Sequence, residues 1–161
     1  EWSRAFCRER GVDPAVEISQ DARTLSPSDF GFHNALRRPG GDLAFLDFEY
    51  FGWDDPAKTI CDFLLHPGMD LSAGVKQSFF SGGLAVFSET PKIGARVGAV
   101  YPLFALKWTT ILLNEFTLDH GARRSFAVGA SGVWSQTAQL EKARRFLGQA
   151  MDEYRNFPGH N

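Results

Sequence analysis

The stretch Ser26-Pro27-Ser28-Asp29-Phe30-Gly31-Phe32-His33-Asn34, followed after a short gap by Asp47-Phe48-Glu49 and then by Gly52-Trp53-Asp54-Asp55-Pro56, decides how this chain is read. Pro27 to His33 is dense in Ser, Asp, Gly and aromatic residues, and helical periodicity is lost from Asp21 to Pro39, so this part reads as a loop. Ala35-Leu36-Arg37 and Leu43-Ala44-Phe45-Leu46-Asp47-Phe48 are strand-like runs. The turn cluster Pro39-Gly40-Gly41-Asp42 lies between them, which predicts a β-hairpin. Asp55 before Pro56 has the form of an N-cap with proline at the first helical position. Ile60, Phe63 and Leu64 then give the following helix an apolar stripe that stops near Pro67-Gly68.

Outward from that centre, helices predominate. Residues 1–10 read as the end of a helix, with Arg8 and Arg10 near its last turn and Gly11 just beyond it. Ser72 to about Ser88 reads as a helix weakened in its middle by Gly82-Gly83. Pro91 to about Asp119, ending at Gly121, is the longest. It is apolar nearly all round from Leu103 to Leu113, which predicts a central place in the core. From about Gly132 to Phe157, Leu140, Ala143, Phe146, Leu147 and Met151 recur at helical spacing. No repeat or linker divides the chain, so residues 1–161 are expected to form one unit of the α+β class, mostly α.

Composition narrows the function classes. The 161 residues are 43% hydrophobic and 14% aromatic, enough to build a core and to exclude disordered and low-complexity classes. Seventeen Lys and Arg against nineteen Asp and Glu give a net charge of -2, without the basic footprint of a nucleic-acid binder. The longest apolar run, Val97 to Leu113, is interrupted by Lys107, so no membrane span is expected. Cys7 and Cys61 are far apart and lack Cys-x-x-Cys spacing; they are expected to be reduced, buried thiols in a cytoplasmic protein.

The chemistry is concentrated at the two ends of the ribbon. Phosphoryl transfer needs an acceptor-only group beside the attacking hydroxyl and hard oxygen ligands for magnesium, because the protein contributes mainly positioning and charge compensation. Asp29, Asn34 and Asp47 are of those types. Asn34 follows Asp29 by five residues, the Asp-x-x-x-x-Asn spacing of a kinase catalytic loop. Asp47 follows Asn34 by thirteen, which leaves room for the hairpin. Asp29-Phe30-Gly31 also spells the metal-binding tripeptide of protein kinases, but no Asp-x-x-x-x-Asn lies just upstream: Ile18 stands five residues after Asp13, and Ser26 five after Asp21. Asp29 is therefore read as the catalytic-loop residue and Asp47 as the metal ligand.

On these residues the chain resembles the small-molecule kinases of the aminoglycoside phosphotransferase and choline kinase type, which share the protein-kinase-like fold. The resemblance runs over roughly residues 25 to 66 and includes Gly52-Trp53-Asp54-Asp55-Pro56 through Asp62-Phe63, which looks like the family's Gly-x-Asp-Pro…Asp-Leu-Ala helix. It implies a protein-kinase-like C-terminal lobe, with a small catalytic β-hairpin packed on a helical bundle. It further implies Asp29 as the catalytic residue, Asn34 and Asp47 as ligands of Mg2+ and of the ATP or other nucleoside triphosphate it carries, and Asp62 as a brace for the loop. The implied partner is a small acceptor with a hydroxyl group, such as an aminoglycoside, choline or another amine-bearing alcohol. Two departures alter the loop's packing: Pro27-Ser28 stand where the family has His-Gly, and Gly31-Phe32-His33 replace its insert before Asn.

No Gly-rich phosphate loop, no Gly-Lys-Ser/Thr motif and no strand Lys with its helix Glu occur in these residues. The N-terminal lobe of the same protein is therefore an expected partner, and the 161 residues alone are expected to turn over little or no substrate. Glu49, Trp53, Asp54, Trp108 and Glu115, with Tyr50 and Phe51, are candidates to line a site for a cationic acceptor through carboxylate and cation–π contacts. The plain alternative for Trp108, in an apolar helix, is core packing. His33 has both a substrate-touching and a loop-packing reading, and His66 reads as a charged partner for a helix C-terminus. The rival readings of the whole are a non-catalytic pseudokinase lobe or helical interaction module and, with less support, a metal-dependent hydrolase, which would want more carboxylates or histidines close by.

Overall fold

The computed structural model describes residues 2–13, 15–116 and 136–156, leaving out the side chains of residues 2, 3 and 115. Helix α1 (Trp2–Glu9) gives way to Gly11, whose φ of +68° lies in the left-handed region that glycine enters without penalty. Four short strands follow: β1 (Thr24–Ser26), β2 (Ala35–Arg37), β3 (Leu43–Phe45) and β4 (Gly52–Asp54). Helices α2 (Pro56–Leu65), α3 (Ala73–Val86), α4 (Ile93–Leu113) and α5 (Gln136–Arg155) complete the described chain. The protein is thus α+β and mostly helical.

The expected hairpin is present. β2 and β3 pair antiparallel with Leu36 opposite Ala44, and Arg38 N–H donates to Asp42 O at 2.8 Å to close the turn. The strand run expected to reach Phe48 stops at Phe45: Leu46 N–H still bonds Asn34 O (2.8 Å) in the register of the ladder, and Asp47 then leaves the extended backbone with a φ of +61°. A second antiparallel pair joins β1 to β4, with Leu25 opposite Trp53. Residues 24–26 were expected as loop, and three residues are too few for the alternation that marks a strand. This pairing brackets the whole site segment between its two ends.

The helices form as their caps direct. Asp55 accepts from Ala57 N–H at 2.9 Å, and Ser72 from Val75 N–H at 3.4 Å. The predicted span of 91–119 is a helix to Leu113 and a 3-10 turn over Asn114–Phe116. Its remainder, including Gly121, and the first residues of the span from Gly132 lie outside the described residues. Ile60, Cys61 and Leu64 of α2 pack with Val97, Tyr101, Ala105 and Trp108 of α4, and Ala150 of α5 closes the cluster. In the weak middle of α3 the two glycines differ. Gly83 sits against Ile60, where a Cβ would meet Cγ1 at 3.0 Å, whereas Gly82 faces open space. Cys7 and Cys61 are both buried free thiols, and burial raises the Cys61 thiol well above its ordinary value. Among the described residues no helix is long and apolar enough to cross a membrane.

Candidate functional site

The loop from Ser26 to Asn34 is built to present Asp29. Ser26, 1% exposed, receives Thr59 Oγ1–H at 3.1 Å and, on the same oxygen, Ser28 N–H at 3.1 Å. Ser28 stands in the left-handed region at φ +61°, a conformation that costs an L-residue on the order of 1–2 kcal/mol. Lys58 Nζ donates to its hydroxyl at 3.1 Å and helps to hold it there. Phe30 packs on Phe45 and Phe63, and Phe63 stacks on Phe79 at 3.6 Å, so an aromatic row ties loop, hairpin, α2 and α3 together. Gly31 is needed for space: a Cβ there would collide with Met69 Sδ and lie 2.7 Å from His33 Nδ1.

Asp29 and Asn34 are in direct contact. The Asn34 amide donates to the Asp29 main-chain oxygen at 2.9 Å and to Asp29 Oδ2 at 3.2 Å. Leu46 N–H bonds Asn34 O, so Asp47 emerges one residue beyond that link. The Asp47 carboxylate makes no hydrogen bond or ion pair among the described residues. The surface around it is acidic: the neighbouring Glu49, and to a lesser extent Asp47 and Asp29, raise the Tyr50 phenol from its ordinary value.

Two histidines complete the group. His33 Nε2 lies 3.0 Å and His66 Nε2 3.3 Å from the same Asp29 oxygen, Oδ1. Their rings stack at 3.8 Å with planes 6° apart, and His66 meets Trp108 edge-on at 4.5 Å. The expectation of a charged His66 at a helix end is corrected here. Burial, reinforced by the neighbouring His33 and Lys107 and opposed by Asp29, pushes its pKa down from 6.5 to about 4, so it is neutral at pH 7. Nothing local in the sequence links residue 66 to residue 29; the helical span of α2 brings them together.

Beneath the loop lies an ion-paired layer. Asp62, 4% exposed, accepts Lys107 Nζ at 2.7 Å and Trp108 Nε1–H at 3.1 Å on Oδ1, while Lys58 Nζ stands 3.5 Å from Oδ2. Lys58 also pairs with Asp54 at 2.6 Å. Asp62 therefore reaches the loop through Lys58 and Ser28. Desolvation raises its pKa, against the pull of the two lysines.

The candidate acceptor-lining residues differ in exposure and in what engages them. Trp53 is 67% exposed on β4, and Glu49 is exposed beyond β3. Asp54 is engaged by Lys58 and by Asp55 N–H. Trp108 is buried at 8% exposure and committed to Asp62 and His66, as core packing anticipates. Glu115 falls in the 3-10 turn after α4, and its side chain lies outside the described residues. A cavity of about 400 Å³ opens beside Leu64, Phe80, Tyr101 and Glu153, and none of Asp29, Asn34 or Asp47 lines it.

Comparison of the chain with protein-family models, with curated proteins and with solved structures finds no match.

Proposed function

We propose that this chain is the catalytic-loop lobe of a phosphotransferase that moves the γ-phosphoryl group of a nucleoside triphosphate to a hydroxyl of a small molecule, in the manner of the aminoglycoside phosphotransferase and choline kinase type. The observation that carries this reading is the Asp29–Asn34–Leu46 linkage, which joins the Asp29 loop to the end of the hairpin just before Asp47. Asp29 would accept the proton of the attacking hydroxyl. Asn34 spends its amide hydrogens on Asp29, while its Oδ1 and the unpaired Asp47 carboxylate are hard oxygen donors of the kind Mg2+ takes. When bound, the ion would offset phosphate charge as the transferred group separates. The left-handed backbone of Ser28, at the position where the resembled family carries glycine, supports the same reading.

Calorimetry of Mg2+-ATP binding to the intact protein, wild type against Asp47→Ala, tests it. Affinity is expected to fall on the order of tenfold or more in the variant, for loss of one ligand and one charge. Asp29→Asn should keep the nucleotide and lose transfer. Absence of nucleotide binding in the wild type would instead favour a non-catalytic lobe.

A further inference from the structure

We infer that His66 is a positioning residue for Asp29: a tautomer-locked imidazole whose Nε2–H fixes the rotation of the carboxylate and leaves Oδ2 turned to the acceptor. This rests on the phosphotransferase reading and deepens it. The lock is visible on the far side of the ring. Gly68 N–H donates to His66 Nδ1 at 3.1 Å, so Nδ1 offers its lone pair and the ring proton of the neutral imidazole resides on Nε2. That nitrogen lies 3.3 Å from Asp29 Oδ1, which only accepts. The ring is clamped between His33 on its face and Trp108 at its edge, and Trp108 is itself fixed by Asp62. The charged or titratable groups around it are Asp29, His33 and Lys107; burial, His33 and Lys107 keep it neutral against the pull of Asp29.

The consequence for Asp29 is an asymmetric carboxylate. Oδ1 accepts from His33 Nε2 at 3.0 Å and has His66 Nε2 3.3 Å away, whereas Oδ2 accepts only from Asn34 and keeps a lone pair for an acceptor hydroxyl. The same three side chains have ligand atoms within 4.8 Å of one another, the spacing of a metal-binding group. The lock opposes that use. A metal on His66 Nε2 would require the ring proton on Nδ1, and this would face the Gly68 N–H donor to donor.

The test separates the hydrogen bond from the chemistry. Long-range 1H–15N NMR of the wild-type protein at neutral pH is expected to show a neutral His66 carrying its proton on Nε2; a proton on Nδ1, or a rapidly averaging ring, overturns the inference. His66→Phe keeps a ring without the donor, and His66→Gln keeps an N–H donor without the ring. The Asp29 carboxyl 13C signal should shift in the Phe variant and stay near its wild-type position in the Gln variant. In the intact protein, His66→Phe should lower kcat on the order of ten- to hundredfold with KM for nucleotide unchanged, and His66→Gln should recover most of it. Equal kcat in all three proteins, or equal loss in both variants, overturns the positioning role. Correct NMR signatures in a protein that transfers no phosphoryl group would sink the phosphotransferase assignment, and with it the catalytic use of this contact, while the hydrogen-bonded arrangement stood.

Discussion

In α2, eight of ten residues are buried, while in the four strands Ser26 alone is. The two regions adjoin in sequence and differ in what they do with apolar side chains. Ile60, Phe63 and Leu64 are enclosed by α3, α4 and α5, whereas Leu25, Leu36, Leu43, Phe51 and Trp53 on or beside the strands are between 45% and 67% exposed. Two-stranded ribbons are at best marginal alone. Here they are held by the aromatic row through Phe63 and by the Lys58 contacts, so the stability of the candidate site is borrowed from the helices. The candidate site lies where burial is incomplete: Asp29 is half-buried, and Asp47 and Glu49 are exposed.

Substitutions should separate the two regions. Ile60→Ala, in the centre of the helical cluster, is expected to cost about 3 kcal/mol in urea unfolding; a cost under 1 kcal/mol would mean that the core is looser than its burial indicates. Next comes pH. Folded His66 takes up its proton near 4 and an unfolded histidine near 6.5, so between those values the unfolded chain binds more protons. This contribution is complete above about 6.5 and lost as the pH falls toward 4, roughly 2 kcal/mol after allowance for the ring's partial exposure. The decline should be shallower in His66→Phe, and parallel declines in the two proteins would refute a neutral buried ring.

Smaller effects test the finer contrast within α3. Gly82→Ala should stabilise by about 0.5–1 kcal/mol through helix propensity. Gly83→Ala should gain nothing, since its Cβ would press on Ile60 at 3.0 and 3.1 Å. Thermal melts of the pair decide this, and an equal gain in both would show that the α2–α3 contact yields. The smallest change is expected on the ribbon: Trp53→Ser should alter stability by less than about 0.5 kcal/mol, because the indole is already in water. A loss several times larger would place Trp53 in a covered surface instead.

Much of the helical region is legible from local signals. Asp55-Pro56 marks the start of α2, Ser72 caps α3, and the apolar length around Leu103 to Leu113 announces the central helix, since caps and periodicity act within a few residues. The β2–β3 turn is equally plain from Pro39-Gly40-Gly41-Asp42. β1 and β4 are not, because three-residue strands have no readable period and their pairing spans the whole site segment. Lys107 reads as a break in an apolar run, and only its partner Asp62 on a different helix explains it.

By itself, the sequence determined which polar groups this protein has to work with, Asp29, Asn34 and Asp47 at the ends of a turn-closed ribbon, and where the helices begin, because residue type and short spacing are local properties. Only the tertiary structure decided how Asp29 is held. Docking of the 26–34 loop on α2 brings His66 from 37 residues away to the carboxylate, and Trp108 of α4 helps to bury it into neutrality. The proton's place on the ring follows from Gly68, two residues on, but the ring's burial and its meeting with Asp29 depend on neighbours distant in the chain, and no local pattern encodes them.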